Sequence, residues 1–318
     1  MGLGIGLGML TACGDSDAAD DGGMLDAAAD DGAMKAALEG ECPDGFTPTE
    51  GENTGFETDD GERVFHVQLP DDTSTPRPVF VALTGTVQDE LDFITQSQLG
   101  ELTDDGWIVL VPVRSCTQEE RTCNGDGSIG SMDGRVWEPW FDGSFARDAG
   151  PDIPYMEAMV RCAAAEWPVD ASQVHIGGIS AGGTMTNHTM TFNSEFFAGG
   201  VNASGNWYDG LVTPRDARAM DRSIVITIWG GETDVWPLNN PIAVYDRETL
   251  AAAQYYARQD EVVHVACSGT HGHIWPTYIT TWIAETLRSH PKGTDPADFE
   301  LTEPPSGVSC VIGEYTDH

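Results

Sequence analysis

Short runs of unbroken apolar residues recur along this chain, with room for a helix between most of them. Residues 78–83, 107–113, 174–178, 224–229 and 262–265 carry almost no polar alternation, whereas residues 63–69 alternate like a strand. A strand reads as a continuous apolar run when both of its faces are covered, as in a parallel sheet flanked by helices. One helix is legible over residues 152–167, where Ile153, Met156, Val160, Ala163, Ala164 and Trp167 share a face and Pro168 ends it. A second helix is expected after Ser180, and a third over residues 277–287. Strands alternating with helices imply βαβ units. The expected class is α/β, one domain over residues 42–318, with a mostly parallel central sheet and helices on both faces.

The segment ahead of that domain reads differently. Residues 1–13 are short and apolar and end in Leu10, Thr11, Ala12 and Cys13. This resembles a bacterial lipobox, which implies lipidation at Cys13, although no basic residue precedes the apolar run. Residues 14–41 are dominated by Asp, Ala and Gly, too poor in apolar surface to offset their chain entropy, and are expected to form an acidic disordered tether. The implied location is outside the cell, attached to the envelope by lipid or secreted. Nothing in the sequence is long and apolar enough to span a membrane as a helix.

The net charge of -37, with only 15 Lys and Arg, excludes nucleic acid as a partner, because phosphate binding needs clustered cations. Residues 1–62 hold 16 acidic residues and one Lys, so the remainder is strongly acidic too. Besides Cys13 there are six cysteines, an even number that in an exported chain points to disulfides. The pairing is not readable. Cys116 with Cys123 would close a short loop, Cys42 with Cys310 would tie the ends of the domain, and Cys162 with Cys267 would remain.

The chemistry centres on Gly178, Ile179, Ser180, Ala181 and Gly182, a Gly-x-Ser-x-Gly pattern that follows an expected strand and opens an expected helix. That context makes Ser180 a candidate nucleophile on a sharp turn, where side chains at 178 or 182 would collide. A Ser hydroxyl needs a base, and the base needs an orienting acid, which follow in the order Ser, acid, His on an α/β-hydrolase fold. Asp234 lies in the loop after one strand, with Glu232 and Asp221 as rivals. His271 and His273 lie in a Gly-rich loop after the next strand. The oxyanion hole would take one backbone N–H from Ala181 and a second from residues 84–86, with Thr86 favoured.

These residues resemble the esterase family of polyhydroxybutyrate depolymerases and related feruloyl and acetylxylan esterases, over roughly residues 60–290. Residues 169–186 are similar to that family's nucleophile region. Its Gly-His-x-Trp-Pro pattern falls on residues 272–276, which selects His273, and Asp234 sits where its acid would. Trp137 and Trp140 resemble an aromatic segment of the same family, whereas Thr84 stands where the family has His.

The resemblance implies a serine carboxylic ester hydrolase with Ser180, Asp234 and His273 as triad, needing no metal or organic cofactor. Only 53 residues separate Ser180 from Asp234, so no large lid is expected. Trp137, Trp140, Trp207, Trp236 and Trp275 would line an open cleft for an aromatic or polymeric ester, such as a feruloyl or acetyl polysaccharide or a polyester. A serine peptidase on the same fold and a non-catalytic surface binding protein are the alternatives. The membrane would be met only through the lipid.

Overall fold

The apolar runs become a nine-stranded sheet because each supplies two faces of side chains to two separate cores. The computed structural model describes residues 37–59, 61–86, 88–114, 137, 150–207, 220–236 and 243–313. Its strands are β1 (Gly51–Thr58), β2 (Gly61–Gln68), β3 (Arg77–Leu83), β4 (Ile108–Pro112), β5 (Val169–Ile179), β6 (Gly199–Ala203), β7 (Ser223–Trp229), β10 (Val262–Ser268) and β11 (Ser309–Ile312). A separate two-stranded pair is made by β8 (Val235–Trp236) and β9 (Ala243–Val244). The large sheet runs β1-β2-β4-β3-β5-β6-β7-β10-β11, parallel from β4 to β10 and antiparallel at both edges.

In β3, Val79, Val81 and Leu83 face one core and Phe80 and Ala82 the other. The first core is covered by α3 (Asp152–Glu166), α4 (Ala181–Asn193) and α5 (Tyr245–Tyr256), through Met156, Met185 and Tyr256 among others. The second is covered by α1 (Glu90–Gln96), α2 (Gly100–Asp104) and α6 (Thr280–Arg288), through Phe93, Leu102 and Leu287. This is the α/β-hydrolase arrangement, with helices on both faces. Among the described residues, no helix is long and apolar enough to cross a membrane.

The helix expected to stop at Pro168 does so, with Trp167 already extended at φ -122° and ψ 137°. The expected helix over 277–287 divides into a 3-10 turn, Thr277–Ile279, and α6. Several elements were not expected, among them β1, α1, α2, α5, β11 and β6. The sequence of β6, Gly-Gly-Val-Asn-Ala, lacks a strand's usual composition because it is packed too tightly for side chains. A Cβ on Gly199 would lie 2.6 Å from Ile224 Cγ2, and one on Gly200 would lie 2.6 Å from Met190 Cγ.

One expectation is corrected, and one open question is answered. Residues 37–41 belong to the folded body rather than the tether: Ala37 forms a bridge with Asp170, and the Leu38 and Glu41 N–H groups donate to the Val169 and Arg161 carbonyls. The remainder of the tether and Cys13 lie outside the described residues. The disulfides join Cys42 to Cys162 and Cys267 to Cys310. Cys267 and Cys310 are register partners on β10 and β11, and the Glu41–Arg161 hydrogen bond lays Cys42 beside α3. Cys116 and Cys123 lie outside the described residues.

Candidate active site

Ser180 sits between β5 and α4 with φ 58° and ψ -119°, a conformation that costs a non-glycine residue about 1–3 kcal/mol. Neighbouring backbone enforces it. A Cβ on Gly178 would approach the Leu83 carbonyl oxygen to 2.4 Å, and one on Gly182 would approach it to 2.2 Å. The obstacle to larger side chains is therefore chiefly the end of β3, and only secondarily the other side of the turn. The Ser180 N–H donates to the Ala203 carbonyl at 2.9 Å. Its side chain makes no capping hydrogen bond to α4. At the start of that helix the aligned peptide dipoles favour negative charge.

The expected acid and base are brought together by two loops joined through their backbones. Gly269 N–H donates to the Trp229 carbonyl at 2.8 Å and Gly272 N–H to the Gly230 carbonyl at 2.7 Å. The loops are so close that a Cβ on Gly230 would lie 2.0 Å from the Gly272 carbonyl oxygen. Gly272 itself takes φ 71°, which glycine adopts without strain. This geometry presents His273 Nδ1 to Asp234 Oδ1 at 2.8 Å. Asp234 is fully buried, and its Oδ2 accepts from Ser204 Oγ at 2.7 Å and Gly230 N–H at 2.8 Å. With Nδ1 donating to the carboxylate, Nε2 is left as the acceptor of the imidazole. The His273 ring stacks on Tyr245, with centroids 4.3 Å apart and planes 13° from parallel.

The rivals fall elsewhere. Glu232 is exposed, and Asp221 is exposed before the opposite end of β7. His271 pairs through Nδ1 with the Tyr278 hydroxyl at 3.1 Å, and burial pushes its imidazole below the usual histidine range.

Gly85, Thr86, Gln88, Ile179, Ser180, Trp236 and His273 line one cavity of about 110 Å³. The expected nucleophile, base and Thr86 thus share a single space, with Ala181 the first residue of α4 beside it. Gly85 is packed closely there: a Cβ would lie 3.1 Å from Gln88 Oε1 and 3.3 Å from Ser180 Cβ. Its N–H is taken by Gln88 Oε1 at 2.9 Å. Arg114, buried at the end of β4, donates to the Thr86 carbonyl and, at 2.6 Å, to the Gln88 carbonyl. These contacts fix the loop that carries Thr86.

Of the four described tryptophans expected to meet substrate, only Trp236 lines the cavity. Trp137 is fully buried and donates from Nε1 to the Thr84 carbonyl at 2.9 Å. Trp207 packs on Tyr255 and Tyr256, and Trp275 on Phe80 and Phe93 with its Nε1 donating to Thr280 Oγ1. Their faces are covered by core residues, so these three are corrected to packing roles. Trp140 lies outside the described residues. Sequence reasoning missed Ser204, Tyr245 and Arg114. A basic residue directly after an apolar run, in a chain so poor in cations, was a usable signal for Arg114; Ser204 has none.

Comparison with known proteins places this geometry. The Oxidized polyvinyl alcohol hydrolase of Sphingopyxis sp. (strain 113P3) is 40% identical over 334 residues, spanning 89% of this chain and 91% of the relative. The chain belongs to the oxidized polyvinyl alcohol hydrolase family. A second member, from Pseudomonas sp, is 38% identical across 87% of this chain and 86% of its own length. The crystal structure of native sOPH superposes with a TM-score of 0.79 and 38% identity, covering 88% of this chain and 99% of that one. The Prolyl oligopeptidase family model matches residues 126–213, a stretch that includes Ser180 and ends before Asp234 and His273. The family membership therefore lies with the oxidized polyvinyl alcohol hydrolases, whereas the resemblance read from the sequence pointed to polyhydroxybutyrate depolymerases and feruloyl and acetylxylan esterases.

Proposed function

We propose that this protein is a serine hydrolase that cleaves acyl groups from a synthetic or natural extracellular polymer, with oxidized polyvinyl alcohol as its substrate and simple carboxylic esters as accepted surrogates. The observation that carries the catalytic reading is the His273–Asp234 hydrogen bond, made at the edge of the cavity that also holds Ser180. The substrate is suggested by the names of the relatives at 40% and 38% identity.

Oxidation of the secondary alcohols of polyvinyl alcohol yields ketones, and two on alternate carbons form a 1,3-diketone. Hydrolysis of such a backbone breaks a carbon–carbon bond. His273 Nε2 takes the Ser180 proton as Oγ attacks one carbonyl carbon, and the Ala181 and Thr86 amides hold the oxyanion. Collapse expels the methylene carbon as an enolate, which receives the proton from the imidazolium to leave a methyl ketone. Water then attacks the acyl-enzyme with His273 as base, and a carboxylic acid leaves. An ester follows the same course with an alcohol as the leaving group, so the esterase reading and the diketone reading use one set of residues. Trp236, which lines the cavity beside His273, offers an aromatic face to the substrate.

The export signal at residues 1–13, lipid attachment at Cys13 and a location outside the cell fit a substrate too large to enter, and the disulfides suit an oxidising compartment. Nucleic acid is not a partner in this reading.

The test is hydrolysis of p-nitrophenyl acetate and of oxidized polyvinyl alcohol by the wild type and Ser180→Ala. Activity on both that disappears in the variant supports the proposal. Ester hydrolysis without polymer shortening or acid release would overturn the substrate. Activity surviving in Ser180→Ala would overturn the nucleophile.

A further inference from the structure

Asp234 is held from behind by a residue outside the triad. Ser204 follows β6, is fully buried, and takes φ 50°, in the left-handed region that a non-glycine residue adopts only when its surroundings require it. Its N–H donates to the Ile228 carbonyl at 2.9 Å, which ties the end of β6 to β7. Its hydroxyl donates to Asp234 Oδ2 at 2.7 Å, leaving Oδ1 to His273. The preceding residue is also engaged, since the Ala203 carbonyl accepts the Ser180 N–H. The turn is locked against α4: Gly205 N–H donates to Asn202 Oδ1 and Asn206 N–H to Thr184 Oγ1, both at 2.8 Å. A Cβ on Gly183 would lie 2.5 Å from Asn202 Oδ1, so the first turn of α4 and this turn cannot separate without loss of packing.

We infer that Ser204 is a positioning residue for the reaction: through two adjacent residues, this turn fixes the nucleophile's backbone and the acid's carboxylate in one rigid unit. This rests on the reading of Asp234 as the catalytic acid. A buried carboxylate must have hydrogen-bond donors, and Ser204 supplies one of the two donors to Oδ2. With that donor gone, Oδ2 keeps only the Gly230 N–H, and the carboxylate aims Oδ1 at Nδ1 less firmly. Ser204 does not line the cavity, so substrate binding is not its task.

Two variants separate this role from a structural one. Ser204→Ala removes the hydroxyl and keeps the strained φ, whereas Ser204→Gly removes the hydroxyl and relieves it. A hydrogen bond to a charged group corresponds to roughly tenfold to a hundredfold in rate. Both variants should therefore lose about that much in kcat on p-nitrophenyl acetate with KM little changed. Phosphonylation of Ser180 by a fluorophosphonate should slow by the same factor. The glycine variant should melt at or above the temperature of the alanine variant, so the loss of rate will not follow stability. Wild-type kcat in the well-folded glycine variant would overturn the inference, as would a loss of rate that tracks melting temperature across the pair. If Ser180→Ala, measured alongside, kept its activity, the site itself would be misassigned, and that outcome is distinct from a silent Ser180→Ala with an unaffected Ser204→Gly.

Discussion

The two halves of the candidate site, the proposed nucleophile and the proposed acid–base pair, are built in different ways. The nucleophile is shaped by five consecutive residues pressed against the end of β3, where Gly178 and Gly182 leave no space beside the Leu83 carbonyl. The acid and base are shaped by segments far apart in the chain, namely Ser204, Gly230 with Asp234, Tyr245, and Gly272 with His273, joined by hydrogen bonds and ring stacking. The first half is a local motif held by exclusion, and the second is a non-local assembly held by several partners. A single substitution should therefore be more disruptive to structure in the first half and more graded in the second.

The largest expected effect is on Ser180, where every step of acyl transfer converges. Ser180→Ala should lose on the order of a million-fold in kcat while the fold is kept, as read by initial rates and circular dichroism. Residual turnover within a hundredfold of wild type would remove the distinction between the halves, because the nucleophile would lie elsewhere. Next comes Asp234→Asn, which keeps the side-chain shape but disturbs the tautomer and charge of His273; a loss of about ten-thousand-fold in kcat is expected. A loss below tenfold would mean that the remaining contacts of His273, including Tyr245, suffice to orient it.

The comparison sharpens at the paired glycines. In Gly182→Ala the new methyl meets the backbone of β3, a central strand that cannot retreat, at 2.2 Å. A destabilisation of about 3 kcal/mol or more is expected from urea denaturation. In Gly230→Ala the methyl meets the Gly272 carbonyl at 2.0 Å, but that carbonyl belongs to a loop able to shift. The stability cost there should be about half as large, with kcat falling because His273 moves. Equal costs at both positions would show that the acid–base loops are as rigid as the sheet.

The effect spread most thinly, over several pH units rather than at one position, is a pH dependence of stability, with one histidine under each half. Burial pushes His175, on the strand leading to Ser180, down to about 3. Burial likewise pushes His264, on the strand leading to His273, down to about 4. The unfolded chain protonates both near pH 6.5, where the folded chain binds no proton. Their contribution is thus complete above pH 6.5 and is lost as pH falls, at roughly 1.4 kcal/mol per pH unit for each histidine. The loss should level off near pH 4 for His264 and near pH 3 for His175. Urea midpoints between pH 7 and pH 4 test this, and His264→Gln should flatten part of the slope. A midpoint that stays constant over that range would show that neither histidine is buried in the neutral form.

Legibility followed the same division. The strands β3, β4, β7 and β10, the helix α3 and the turn at Ser180 were readable because each is encoded within a short window of sequence. Among candidate acids and bases, chain order and loop position narrowed the choice to Asp234 or Glu232 and to His271 or His273, and the resemblance favoured Asp234 and His273. The remaining residues were opaque for identifiable reasons. Trp137, Trp207 and Trp275 sit in site-like loops, yet their burial depends on partners from other elements, such as Thr84, Tyr255 and Phe93. The cysteine pairs follow from the register of β11 on β10 and from the path of residues 37–42 along α3, neither of which leaves a trace in spacing.

The sequence by itself determined the periodicities that place strands and helices and the glycines that make the Ser180 turn sterically feasible. The tertiary structure alone decided that Asp234 Oδ1 faces His273 rather than solvent, that Ser204 stands behind it, and that Arg114 braces the Thr86 loop. Local features depend on the conformational preferences of neighbouring residues, which a sequence states directly. Hydrogen-bond partners far apart in the chain depend on where the sheet order brings the strand ends together, and that is fixed only when the two cores are packed.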